Sequence, residues 1–490
     1  MAMTLGRPKA LISYLLVFAF FGFIYTFWSV GYTPSIPAAS GLHDVLTAHA
    51  AITTPVADQL LLPGANARHP PNLCEQHQDT GKISVVLMTG ATEALETLST
   101  QLVTSLRCVK EPLIFSDLEQ RLGSHAIHDV LANVSAETMD RNRDFDIYRK
   151  QHELVASGRE NELRLLGDLP VPVTGLEKYK VLHAIELAWQ LQPNRDWYCF
   201  VAADTYLSWP NLLAFLEAYD PGESWYFGQP VRTLEGSTGL PPIQSGAGFI
   251  LSGRLVRDWN MQATALATRW DGRVDSTWPA DYVLAAALHE ELRVPVTDAT
   301  PMLQTENPAM VAFGLENWCK PVVTMDKLDP RQLDRMYQIE LALNGSLLLF
   351  KDFHAASHHT GYPFKRDDWD NRADDAEHAI DVVPNNMEEA KGQWEPKDLV
   401  DPHQSYMSCE LACIQNGACF QFGFTTTTNF SNAMTATTTA RCYLSRVFRL
   451  GELREPVGPS EGRPWTTVRK SGWRSDRIAK WVTENRTCPF

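Results

Sequence analysis

Asp196-Trp197-Tyr198-Cys199-Phe200-Val201-Ala202-Ala203-Asp204-Thr205-Tyr206 is the stretch on which the reading of this chain turns. Trp197 to Val201 is a short apolar run rich in aromatic and β-branched residues, the pattern of a buried strand, and it stops at a lone acid. In open α/β sheets ligands lie beyond the carboxyl ends of the strands, so Asp204 stands where a sugar or a phosphate-bound cation would be held. A helix is predicted from Trp209 to Tyr219, with Asp220-Pro221-Gly222 as its stop. Two further blocks follow in order: Trp225-Tyr226-Phe227-Gly228-Gln229-Pro230, then Ser245-Gly246-Ala247-Gly248-Phe249-Ile250-Leu251-Ser252-Gly253.

Upstream, Ile83 to Met88 reads as a first buried strand that ends in the turn Thr89-Gly90-Ala91-Thr92-Glu93-Ala94 and enters an amphipathic helix through Leu106. Pro112 to Phe115 is a second strand ending at Ser116-Asp117, and Lys178 to Gln192 is a helix that leads into the Asp204 strand. Strand, helix, strand, helix, strand implies an α/β fold on a mostly parallel sheet flanked by helices.

The chain has 490 residues, more than one typical core requires, and 44% hydrophobic content is ample for globular packing. Its net charge of −15 argues against nucleic acid as a partner, since no basic excess exists to neutralise phosphates. Residues 11–30 carry no charge and match the roughly 30 Å hydrocarbon core at helical rise, with Arg7 and Lys9 on the N-terminal side. The positive-inside rule then gives a cytosolic tail (1–10), a transmembrane signal anchor (11–31) and a luminal remainder; a cleaved signal peptide is the alternative. Residues 32–71, rich in Pro, Ala and Thr, read as a stem. Sequons at Asn133, Asn344, Asn429 and Asn485 and nine cysteines suit the lumen of the secretory pathway. The odd cysteine count leaves one thiol free or paired between chains, which keeps a homodimer open, and Cys199 is the candidate buried thiol.

Taken in order, the strand ending in Asp204-Thr205-Tyr206, the helix, Tyr219-Asp220-Pro221, the Trp-Tyr-Phe-Gly strand and the Ser-Gly-Ala-Gly-Phe turn resemble the Fringe and core 1 β1,3-galactosyltransferase family, glycosyltransferase family 31, in its fungal form. The resemblance runs as ordered motifs from about Cys74 to the C-terminus. It implies a GT-A glycosyltransferase domain over 72–364 and an inverting transfer of a hexose, galactose in β1,3 linkage, from a UDP-sugar to an N-acetylgalactosamine-bearing glycoprotein glycan. It also implies a single-pass Golgi membrane protein. N-acetylglucosaminyl transfer, and a catalytically inactive chaperone or glycan-binding relative, are the alternatives.

In that family a divalent cation, commonly manganese (Mn2+), neutralises the diphosphate leaving group, held by an Asp-x-Asp motif and a distant His. Here the motif reads Ala202-Ala203-Asp204, and the His region after Trp318-Cys319-Lys320-Pro321 reads Met325-Asp326-Lys327. Asp204 and Asp326 are therefore the candidate metal ligands, with a surface acid beside Lys327 as the plain alternative for Asp326. The family's base, an acid opening a helix after the Gly-rich turn, falls on Asp281 in Trp278-Pro279-Ala280-Asp281-Tyr282; a helix cap explains the same residue. Thr89, Gly90, Asp117, Asp204, Gly246 and Gly248 are the candidate donor-binding residues, Asp117 for ribose hydroxyls and the glycines for close backbone approach. His354, His358 and His359 read as solvated or hydrogen-bonded, outside the metal region.

The polar stretch 365–404 reads as a connecting segment, and 405–490 as a small α+β module resembling PAN/apple domains, in which a helix bearing two cysteines is stapled to a sheet. Under that resemblance Cys409 pairs with Cys442 and Cys413 with Cys419, one of three connectivities open to the four. Thr425 to Thr439 reads as a loop.

Overall fold

The computed structural model describes residues 73–488, apart from 141, 168–174, 232–243, 263–264, 275–277, 359–360, 383–400, 431–435, 457 and 460–463. The apolar run 11–31, the stem and His359 lie outside the described residues. Among the described residues no helix is long and apolar enough to cross a membrane.

Three of the predicted strands form the middle of an eight-stranded sheet. These are β1 (Ile83–Met88), β2 (Leu113–Ser116) and β5 (Trp197–Ala202). With β3 (Gln120–Leu122), β4 (His125–Asp129), β7 (Tyr226–Gly228), β8 (Phe249–Ser252) and β9 (Thr297–Asp298), the order is β3-β4-β2-β1-β5-β8-β7-β9. β1 pairs in parallel with both β2 and β5, Met88 standing opposite Ala202. β8 runs antiparallel between β5 and β7, so the sheet is parallel-rich and mixed. Alternate residues feed opposite faces: Val86, Tyr198 and Phe200 enter one core with the helices Glu177–Leu191 and Ala280–Leu292. Val85, Leu87, Cys199 and Val201 enter the other with Ala94–Val103 and Trp209–Leu216. Burial on both faces explains why these strands are almost continuously apolar. The helix from Trp209 ends at Leu216, earlier than predicted, and Tyr219 packs against Trp225 and Phe227 instead.

A small sheet joins β6 (Tyr206–Leu207), β10 (Leu303–Gln304) and β11 (Thr324–Met325); β11 lies antiparallel to β6 and parallel to β10. It brings the chain after Thr324 back onto the Asp204 turn.

The C-terminal region is a five-stranded antiparallel sheet covered by the helix Tyr406–Gln415. Cys409–Cys442 and Cys413–Cys419 staple that helix to the sheet, the expected pairing. Lys365–Asp367 and Ala379–Ile380, placed in a connector by the sequence reading, are this sheet's two edge strands. The threonine run is no loop: Gln421–Asn429 and Thr437–Ser445 are paired strands, because β-branched threonines favour extended backbone and their hydroxyls pair across it. Cys74–Cys108 and Cys319–Cys488 close the remaining pairs, and Cys199 is the buried free thiol, with burial pushing it up to about 12. No thiol among the nine is thereby left to bridge two chains.

The small sheet and the C-terminal sheet share a third core, in which Phe313, Trp318 and Phe353 meet Phe448, Trp473 and Ile478. His354 and His358 are buried inside it, their rings stacked at 5.1 Å between Phe313, Trp318, Phe448 and Tyr362. The solvated or hydrogen-bonded role expected for His354 is thus overturned: among the described residues neither ring nitrogen has a hydrogen-bond partner. Burial, and then the neighbouring His358, lower His354 to about 3. The folded protein therefore refuses a proton that the unfolded chain accepts near pH 6.5. Stability is full above that pH and falls as pH drops toward 3, by up to about 1.4 kcal/mol per pH unit. Urea unfolding at pH 7.5 and 5 should resolve this loss, and His354→Phe should reduce it; an unchanged slope in the variant removes His354 as its source.

Candidate functional site

The chain passes from β1 to β2 on one side, then returns to place β5 on the other side of β1. The sheet therefore has its topological switch between β1 and β5, where the turns after parallel strands diverge and open a crevice. Thr89-Gly90 follows β1 and Asp204 follows β5, and the two turns are tied together by the Ala203 N–H donating to the Met88 carbonyl at 2.9 Å.

Under the first turn lies a buried ion pair. The Asp117 carboxylate accepts from the Ala91 N–H at 2.6 Å and from Gln151 at 3.2 Å, with the Lys180 ammonium 3.7 Å away. Lys180 also donates to the Thr89 carbonyl at 3.2 Å and to Glu177 at 2.7 Å. Burial alone would raise Asp117, but Lys180 and these donors hold it below the usual carboxylate range; burial would lower Lys180, but Asp117 and then Glu177 raise it. Asp117 has no solvent exposure, so the ribose contact expected of it gives way to support of the Thr89–Ala91 turn from below.

The second cluster joins residues far apart in sequence. β11 ends at Met325, paired with Tyr206, and so delivers Asp326 to the Asp204 turn. The Asp326 N–H donates to the Gln304 carbonyl, and the Leu328 N–H to the Asp204 carbonyl, each at 2.9 Å. The Thr205 hydroxyl lies 3.0 Å from Asp326 Oδ1 and 2.8 Å from the Gly246 carbonyl; having one proton, it donates to one of them at a time. Gly246 faces the same carboxylate: a Cβ there would lie 2.0 Å from Asp326 Oδ2. Gly248 has φ +83° and a Cβ on it would lie 2.5 Å from the Phe200 carbonyl, so this turn seats on β5 only with glycine.

Like charge collects here. Burial and then the Asp204 carboxylate push Asp326 up to about 6. Burial also raises Asp204, and loss of solvent followed by the charge of Asp204 raises Glu93 against its Gly90 N–H contact. Two carboxylates from separate strands, crowded in this way beside a glycine that leaves them room, are a donor set that fits a hard divalent ion completing its shell with substrate phosphates and water. Among the described residues, the one group of three potential ligand residues gathered within 4.8 Å is elsewhere, at Glu316, Glu377 and His378.

Asp281 belongs to a different neighbourhood. It sits in the first turn of Ala280–Leu292, where Pro279 is the N-cap, and its charge reaches the buried Tyr226 hydroxyl, raising it further after burial. Beside the exits of β1 and β2 is a cavity of about 500 Å³ lined by Leu95, Leu118, Gln120, Arg121 and Glu160, and Gln120 Oε1 is buried without a partner among the described residues. Sequence reasoning missed Glu93, Lys180, Thr205, Lys327 and this cavity. Glu93 had a visible signal, an acid three residues after the turn glycine; Lys180 is one lysine on a helix and had none.

The Fringe-like family model matches residues 174–311, a span that includes Asp204, Gly246, Gly248 and Asp281. No curated protein matches the chain in sequence. Among solved structures, the crystal structure of a glycosyltransferase involved in the glycosylation of the major capsid of PBCV-1 aligns with 52% of this chain and 99% of its own, at 11% identity and a TM-score of 0.25. Over residues 174–311, from the helix that leads into β5 to the segment just past β10, the chain is similar to the Fringe-like family.

Proposed function

We propose that the protein is an inverting glycosyltransferase of GT-A fold that takes a hexose, galactose in β1,3 linkage, from a UDP-sugar to an N-acetylgalactosamine-bearing glycan. The observation that carries this reading is the convergence of the Thr89-Gly90 turn, Asp204, Asp326 and Gly246 at the switch between β1 and β5. The nucleoside is assigned to the cavity beside Leu118 and Gln120, and the diphosphate to the crevice above Asp204. Asp204 and Asp326 would hold a divalent ion such as manganese, which when bound would neutralise charge on the departing diphosphate. Asp281 takes the proton of the acceptor hydroxyl while that oxygen bonds to the anomeric carbon and the bond to UDP breaks on the opposite face. Lys180 and Asp117 hold the Thr89–Ala91 turn in place.

Ala202 at the first acid position favours a second reading, an inactive relative that binds a nucleotide or glycan without turnover. UDP-galactose and UDP-N-acetylglucosamine hydrolysis and transfer by the purified protein, with and without manganese, separates the readings. Transfer of galactose supports the first; nucleotide binding without any turnover supports the second.

Placement in the lumen of the secretory pathway, as a single-pass Golgi membrane protein, rests on the apolar run at 11–31. In a secretory host the exposed Asn133, Asn344 and Asn429 should carry glycans. Asn485 should carry less, because its amide donates to the Trp481 carbonyl at 2.8 Å and its own carbonyl receives the Trp318 indole N–H at 2.7 Å. Most glycosidase-sensitive mass should disappear in the Asn133→Gln, Asn344→Gln, Asn429→Gln triple variant, the remainder being that on Asn485. Wild-type protein without any glycan would remove the luminal placement.

A further inference from the structure

Lys327 belongs to the loop that carries the second acid. It follows Asp326 directly, has left-handed backbone at φ +58°, and donates from its ammonium to the Thr305 carbonyl at 2.9 Å. The residues on either side are tethered as well, Asp326 to Gln304 and Leu328 to Asp204, each through its N–H at 2.9 Å. This short loop is thus stitched to both walls of the crevice, which limits where the ammonium can go. The residue is exposed, yet its charge acts on Asp204 and Asp326 alike. Lys180, the other nearby lysine, is wholly buried and already engaged by Thr89, Asp117 and Glu177.

We propose that Lys327 is a built-in cation of the donor site, which binds the nucleotide's diphosphate and competes with a divalent ion for the Asp204–Asp326 pair. The inference rests on the nucleotide-sugar reading. Position 202 carries Ala, so an entering ion finds one carboxylate fewer, while the chain supplies a fixed positive charge at the same place. An ammonium has three protons to donate; the Thr305 carbonyl takes one, which leaves two for carboxylate and phosphate oxygens. A divalent ion seated on the two acids would be repelled by this ammonium, whose charge acts on both. Loss of the lysine charge therefore has effects of opposite sign on nucleotide and on metal.

The test is calorimetry on the purified full chain, comparing wild type with Lys327→Met and Lys327→Arg, titrated with UDP in EDTA, UDP with manganese, and manganese alone. Wild type should bind UDP in EDTA, the Met variant about tenfold more weakly, and the Arg variant close to wild type. Manganese alone should bind the Met variant severalfold more tightly than wild type. Equal UDP affinity of wild type and Lys327→Met in EDTA overturns the proposal, as does wild type that binds UDP only with manganese. Wild type that binds no UDP under either condition overturns the nucleotide reading together with it. Unfolding temperature controls for the fold, and because position 327 is exposed with its backbone held on both sides, it should not change.

Discussion

Asp281→Asn lowers sugar transfer by about 100-fold to 10,000-fold and leaves UDP affinity within about twofold of wild type. The reason is division of labour. Asp281 has the Tyr226 hydroxyl as its electrostatic neighbour, whereas Asp204 and Asp326 have each other, Thr205 and Lys327. Removing one proton acceptor therefore leaves the donor crevice as it was. The capping explanation for this acid is weakened by the helix itself: Pro279 is the N-cap, and Asp281 lies inside the first turn. Its carboxylate still meets the positive end of the helix, so the amide variant loses about 0.3–1 kcal/mol of stability, too little to empty the folded state. Single-turnover transfer beside UDP calorimetry reads the two effects separately. Transfer at wild-type rate eliminates Asp281 as base, and a matching loss of UDP affinity would move it into the donor pocket.

The second large effect is a contrast between two glycines in one turn. Gly248→Ala should destabilise the protein by about 2–4 kcal/mol, because its φ of +83° is strained for any side chain and the new methyl would meet the Phe200 carbonyl, which is backbone and cannot step aside. Gly246→Ala should unfold far less readily, since the atom it meets is the end of the Asp326 side chain, which can rotate. That rotation breaks the Thr205 contact and separates the acid pair, so UDP binding with manganese should weaken by about tenfold or more. Denaturant melts and calorimetry on both variants check the contrast. If Gly246→Ala keeps wild-type UDP affinity in manganese, Asp326 is not a donor-site residue.

Much of the frame was legible from short stretches. The strands at Ile83 and Trp197, the acid after the second, the glycine turn and the two-cysteine helix are patterns contained within a few residues, where side-chain periodicity and turn chemistry act locally. The same local logic failed where a neighbour outside the window decided the outcome. Phe249–Ser252 reads like the other apolar strands, but the chain enters it from the Ser245–Ala247 turn and so lies antiparallel to β5. The threonines after Phe424 became strands because each has partners on both sides, in Thr437–Ser445 and Trp465–Trp473. His354 is polar in any sequence window, yet it is buried because Phe448, almost a hundred residues later, packs on it.

What this chain's sequence determined by itself was the set of central strands β1, β2 and β5 and the helix that carries Cys409 and Cys413. The tertiary structure alone decided which acids meet: Thr205 and Asp326 are 121 residues apart and touch because β11 pairs with β6. It also turned Asp117 inward onto Lys180 and brought the charge of Lys327 to bear on Asp204 as well as on its neighbour Asp326. Periodicity and turn signals carry no information about which distant strand a residue will stand beside, and electrostatic neighbours follow only from that choice.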